Sequence, residues 1–265
     1  MNFFDDAEIK YLRRIILLLL SIVLCYGIYM SNERDAKPAD AMISSVKYNE
    51  LPIYCVNTNQ KVVSLTFDAA WGVNDLNDIL SVLDKHQAKV TFFVTGDWAS
   101  KYPDAVIKIS EAGHDIGNHG ANHKHMTQLN ESAMADEIQG CHDTVKAIIN
   151  KDMFLFRAPY GDYNETVVSV AKKMNYYTLQ WDIDSLDWKD YGVASIIDKV
   201  CNHKHLGNGS IILLHNGATY TKDALDELLT KLTGQGYTFV AASDLIIKGN
   251  YYIDHEGRQF SNKEQ

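Results

Sequence analysis

From Val62 onward the chain predicts an α/β domain built on a parallel sheet. Short apolar, β-branched runs alternate seven times with segments of helical period, and each switch is punctuated by Gly, Asn or Asp. About 190 residues continue this way without an internal repeat or low-complexity tract, a length that suits one barrel-like or doubly wound domain.

The elements follow in order. Strands are expected at Val62–Phe67, Val90–Val94, His114–Asn118, Met153–Phe156, Tyr176–Trp181, Ser210–Leu214 and Tyr237–Ala241. The segment Asp75–His86 reads as a helix, because Leu76, Ile79, Leu80 and Leu83 recur at i, i+3, i+4 and i+7. Pro103 suits a first helical turn and Gly113 the position just past a last one. Asn130 and Asn164 stand where N-caps belong. The domain is placed at residues 59–248, and the polar residues 249–265 read as a surface tail.

Ahead of the domain, Ile15 to Met30 carries no charge and directly follows Lys10, Arg13 and Arg14. As a helix this run is about 24 Å long, near the span of a hydrocarbon core. Basic residues before it predict a cytoplasmic N-terminus and an extracytoplasmic domain, so residues 1–31 read as a cytoplasmic stub and single-pass signal anchor in the cell membrane. A cleaved signal peptide is the rival, but no Ala-x-Ala site closely follows Met30. Residues 32–58, with Pro38, Pro52 and no sustained period, read as a stalk.

Composition excludes several classes. The chain has 265 residues, is 46% hydrophobic and 22% charged, and its net charge of -9 offers no basic face for nucleic acid. Cys25, Cys55, Cys141 and Cys201 form no C-x-x-C pair and make a poor disulfide framework, so free, buried thiols are expected in the domain.

The polar residues at strand ends are more informative. Asp68 follows the first strand, His119 and His123 the third, Arg157 the fourth, Asp184 and Asp187 the fifth, and His215 the sixth. In parallel α/β folds the loops after the strands share one end of the sheet, which carries the chemistry. Each residue alone has an ordinary explanation. An Asp after a strand is commonly a turn residue, and two His four apart are a weak metal signal in a chain with ten. Their coincidence at one edge carries the argument.

The segments SLTFDAAWG, NHGANH, FRAPYG, WDIDSLDW and IILLHNG, in this order, resemble the five motifs of the polysaccharide deacetylases, carbohydrate esterase family 4, over about residues 59–247. The resemblance implies a distorted (β/α) barrel of about seven parallel strands. It also implies a divalent metal, zinc or alternatively cobalt, and removal of N-acetyl groups from a cell-wall polysaccharide, most simply peptidoglycan close to the membrane. Carried over by motif, Asp68 matches the general base, His119 and His123 the metal ligands, and Arg157 the residue orienting the base. The Tyr160 backbone N–H matches the oxyanion donor, Asp187 the partner of the catalytic histidine, and His215 the general acid. Tyr160, Asp184, Trp188 and Leu213 are the expected substrate contacts.

These residue types suit the chemistry. Imidazoles hold a metal that polarises a carbonyl and a water, a carboxylate takes the water's proton, and an acid must protonate the departing nitrogen. Trp188 and Leu213 supply the apolar wall a methyl group needs. Two positions depart from the family pattern. Ala69 stands where a second Asp completes the metal site, which predicts a weakly held metal or one completed by another side chain such as His125 or Asp115. Gly120 replaces a hydroxyl residue, which predicts that a bond bracing the histidine loop is missing. The competing reading is a catalytically impaired, membrane-anchored glycan-binding protein that uses the same groove.

Overall fold

A computed structural model describes residues 51–262. The predicted membrane anchor, Cys25 and residues 32–50 of the stalk lie outside the described residues. Among the described residues no helix is long and apolar enough to cross a membrane.

The strands are β1 (Cys55–Val56), β2 (Val62–Ala69), β3 (Thr91–Val94), β4 (Asp115–Asn118), β5 (Leu155–Phe156), β6 (Tyr177–Thr178), β7 (Ile183–Asp184), β8 (Ile211–His215), β9 (Thr238–Phe239), β10 (Tyr251–Ile253) and β11 (Arg258–Ser261). The helices are α1 (Leu76–Lys85), α2 (Gly96–Lys101), α3 (Pro103–Glu111), α4 (Glu131–Ile149), α5 (Glu165–Lys173), α6 (Val193–Cys201), α7 (Thr221–Gly234) and α8 (Ala242–Leu245). The expected starts hold: Asn130 accepts from Ala133 N at 2.9 Å, Asn164 accepts from Val167 N at 3.0 Å, and Pro103 opens α3.

The main sheet runs β6-β5-β4-β3-β2-β8-β7, with every neighbouring pair parallel, and β9 also pairs with β2. This is the expected distorted barrel of seven parallel strands, left open because the end strands β6 and β7 do not pair with each other. The chain around Ile53 crosses that seam. Ile53 N donates to Thr178 O and Gln180 N donates to Ile53 O, both at 2.8 Å, while Val56 N reaches Gly209 O at 2.9 Å.

Two boundaries therefore need correction. Residues 51–58, read from sequence as the end of the stalk, belong to the fold, with Ile53 and Val56 buried. The segment read as a polar tail forms the β10–β11 hairpin, whose β11 pairs with β1 and whose Gln259 is buried. Neither piece is periodic enough to show itself locally, because its partners lie about 125 to 200 residues away.

Strand alternation divides the core. Along β2, Val63, Leu65, Phe67 and Ala69 pack into the cluster beneath the helices. Val62 joins Phe93, Leu155 and Ile211 in a second cluster, which Ala242 and Leu245 of α8 also enter. Ser64, Thr66 and Asp68 share the face of Val62 by the two-residue period. Asp68, next to last in β2, therefore faces the barrel axis. Cys55, Cys141 and Cys201 are free and buried, as expected.

Candidate active site

The site residues carried over by motif come to the C-terminal edge of the sheet. Asp68 and His215 are cross-strand partners in the β2–β8 register, so one side chain of each type stands on the same face. His119 directly follows β4 and Arg157 directly follows β5. A cavity of about 450 Å³ is lined by Asp68, His119, His123, Tyr160, Asp184, Trp188, Leu213 and His215. Arg157 and Asp187 lie behind this lining, each 0% exposed.

The Asp68 carboxylate is oriented from two sides. Arg157 Nη1 donates to Oδ1 at 2.7 Å, and Arg157 Nη2 is itself held by Gln180 O at 3.1 Å. Oδ2 faces His119 Nε2 at 3.5 Å. Burial by itself would raise the carboxyl's pKa, but Arg157, His119 and His215 more than offset it and hold Asp68 below the usual carboxylate range. Asp68 is thus ionised at neutral pH.

His119 lies 2.8 Å from Arg157 O through Nδ1. A carbonyl can only accept, so Nδ1 carries the proton and Nε2 presents its lone pair toward Asp68. Burial pushes the His119 pKa down, as it does for His123, which falls to about 4 with help from His119. Two neutral imidazoles with ring centres 5.1 Å apart suit a divalent metal of the zinc type. The third ligand is not there: among the described residues no group of three His, Cys, Asp or Glu side chains is arranged to hold a metal.

Position 69 does not fill the gap. It ends β2 opposite Val94, fully buried in the helix-side cluster, and the neighbouring Ala70 lines the cavity instead. Of the two expected substitutes, Asp115 is at the start of β4, bonded to Thr91 Oγ1 and Ser243 N, far from the catalytic edge of that strand. His125 stacks on Tyr160, with ring centres 4.1 Å apart, and its Nδ1 is 3.5 Å from Asp162.

His215 is held by Asp187, which accepts from its Nδ1 and its backbone N, both at 2.7 Å, and from Thr221 Oγ1 at 2.6 Å. Burial would lower the His215 pKa, but the hydrogen bond and charge of Asp187 win and raise it. With Nδ1 taken by Asp187, Nε2 is left for the cavity that His215 lines.

Sequence reasoning missed Trp71 and Trp181, which also line the cavity. Trp71 is 49% exposed, its ring centre 5.5 Å from that of His215 and 6.1 Å from that of His123. Its backbone is pinned, since Trp98 Nε1 donates to Trp71 O at 2.6 Å and to Gly72 O at 2.9 Å. The one available signal was an aromatic residue three positions after Asp68, inside the first motif. Gly120 supplies no side-chain bond, and other bonds brace the loop. Gly120 N donates to Asn118 Oδ1 at 2.9 Å, and Glu137 of α4 holds the same loop through Asn122.

With this geometry in place, the chain can be compared with known proteins. Residues 56–179 match the polysaccharide deacetylase family. The chain is 31% identical over 227 residues to the peptidoglycan-N-acetylmuramic acid deacetylase PdaA of Bacillus subtilis, covering 84% of this chain and 86% of that protein. The chain belongs to the polysaccharide deacetylase family. It is also 35% identical over 212 residues to PdaC of Bacillus subtilis, another peptidoglycan-N-acetylmuramic acid deacetylase, of which it spans 43% while 80% of this chain is covered. Among solved structures, wild-type BA3943 of Bacillus anthracis, a CE4 family pseudoenzyme, matches with a TM-score of 0.70 and 32% identity over 73% of this chain and 68% of that one. A BA3943 mutant with restored enzymatic activity matches with the same TM-score at 34% identity, over 73% of this chain and 70% of that one. The fold of this polysaccharide deacetylase is thus shared with a CE4 family pseudoenzyme and with a mutant of it whose enzymatic activity is restored.

Proposed function

We propose that this polysaccharide deacetylase hydrolyses N-acetyl groups from peptidoglycan amino sugars, with the domain held outside the cell by the apolar run Ile15–Met30. One observation carries the reading: a carboxylate fixed by Arg157 and a histidine fixed by Asp187 line the same cavity as the imidazoles of His119 and His123.

His119 and His123 are the residues that would hold a divalent metal, zinc or cobalt. When bound, it would polarise the acetyl carbonyl and acidify a water. Asp68 takes the proton from the attacking water as the new C–O bond forms, and Arg157 keeps the accepting oxygen aimed. Tyr160, held at φ 61°, contributes its backbone N–H to the developing oxyanion. His215 delivers its proton to the amide nitrogen as the C–N bond breaks, so acetate and a free amine leave. Trp188 and Leu213 wall the methyl group, and Asp184 faces the sugar. With two imidazoles and no third protein ligand, the metal is held weakly.

Acetate release from N-acetylated peptidoglycan by the purified protein, with added zinc or cobalt and with chelator, tests this. Metal-dependent release is expected. The missing third ligand favours a second reading, glycan binding without turnover, and binding with no acetate release at any metal concentration would establish it. Membrane fractionation and protease protection test the anchor, which a soluble mature protein beginning after residue 31 would overturn.

A further inference from the structure

The loop that carries His119 and His123 contains two residues in the left-handed region, Gly120 at φ 76° and His123 at φ 53°. Glycine takes that conformation freely, whereas for a non-glycine residue it is uncommon, although histidine enters it more readily than most. The residues flanking His123 are gripped from α4. Along this helix Met134, Ile138, Cys141 and Val145 form the buried stripe, and Glu137 lies on the same stripe, 3% exposed.

A carboxylate does not remain in an apolar stripe without partners. Both oxygens of Glu137 are used, and each bond goes to the histidine loop. Oε2 accepts from Asn122 N at 2.8 Å, while Oε1 accepts from Asn122 Nδ2 at 2.8 Å and from Lys124 Nζ at 2.9 Å. Asn122 and Lys124 are the residues on either side of His123. Glu137 also fills the space next to Gly120, where an added Cβ would stand 3.5 Å from Oε2. A side chain from a distant helix thus occupies the place of a local brace.

We infer that Glu137 is a positioning residue of this site, gripping Asn122 and Lys124 so that His123 is held in its left-handed conformation with its imidazole in the cavity beside His119. The inference rests on the proposed function for its consequence, since a loosened His123 would weaken a metal shared with His119. It does not depend on turnover, and Glu137 is not among the residues that line the cavity.

The test uses the full chain in detergent micelles, with histidine labelled in 15N, as wild type, Glu137→Ala, Glu137→Gln and His123→Ala, the last to assign the His123 ring signals. Two quantities are read: the His123 ring resonances in metal-free protein, and the affinity for Co²⁺ by calorimetric titration. Glu137→Ala is expected to move the His123 resonances and weaken Co²⁺ binding at least tenfold, with the shape-conserving Glu137→Gln intermediate in both. A lowered melting temperature with unchanged His123 resonances and unchanged Co²⁺ affinity would mean that Glu137 serves packing only, and would overturn the inference. Should Glu137→Ala fail to fold, the same decision falls to Glu137→Gln, for which unmoved His123 resonances are the overturning result. If wild type takes up no Co²⁺ but Glu137 variants still shift His123, the positioning role stands and the metal-dependent reading fails.

Discussion

Breaking the Arg157–Asp68 pair is the sharpest probe of the site. Arg157 is 0% and Asp68 6% exposed, the pair closes at 2.7 Å, and the guanidinium lies over the Phe93 ring at 4.1 Å. Arg157→Met keeps much of the volume and removes the charge, leaving Asp68 an unpaired buried carboxylate. Loss of one partner from such a pair costs about 3–5 kcal/mol. For a domain of this size that lowers Tm by roughly 6–20 °C, at about 2–4 °C per kcal/mol. The double variant Asp68→Asn/Arg157→Met removes both charges, and should recover at least about 2 kcal/mol relative to the sum of the single losses. The assay is a double-mutant cycle by urea unfolding at pH 7 with chelator present. Because the folded pKa of Asp68 is depressed, the stabilisation is present above the unfolded carboxyl's ordinary value of about 3.9 and is lost as pH falls through the folded one. Coupling should shrink accordingly in acid. Single losses that add within about 0.5 kcal/mol would refute the buried pair as the element that holds the base.

Three further outcomes are expected. Asp68→Asn and His215→Ala should each reduce acetate release at least about a hundredfold while melting as cooperatively as wild type, and near-normal turnover in either would remove its assigned role. Asp187→Asn should move the alkaline limb of the kcat/KM profile to lower pH, because the carboxylate that raises the His215 pKa is gone; an unmoved limb means that another group supplies the proton. Ala69→Asp should cost several kcal/mol and leave Co²⁺ affinity unimproved, since position 69 faces the apolar layer beneath the helices; a variant that melts like wild type and binds Co²⁺ more tightly would show that the end of β2 can turn.

The sequence by itself determined much of the scaffold. Each of the seven expected strands overlaps one in the structure, because a buried parallel strand is a short apolar run whose character is written locally. The site residues were legible for a related reason: parallel topology sends every strand's C-terminal end to one edge, so Asp68, His119, Arg157 and His215 had to meet once the strands were known. What depended on pairing across long separations was not legible. The short β7, the Ile53 seam and the β10–β11 hairpin draw their stability from remote partners rather than their own pattern. Side-chain direction at strand ends was equally hidden. Ala69 turned out to face the helices, Asp115 to stand at the wrong end of β4, and Trp71 to overlook His215. Glu137 shows the reason most directly. In sequence it is one charge among many, and only the packing of α4 against the histidine loop gives that carboxylate three donors around His123.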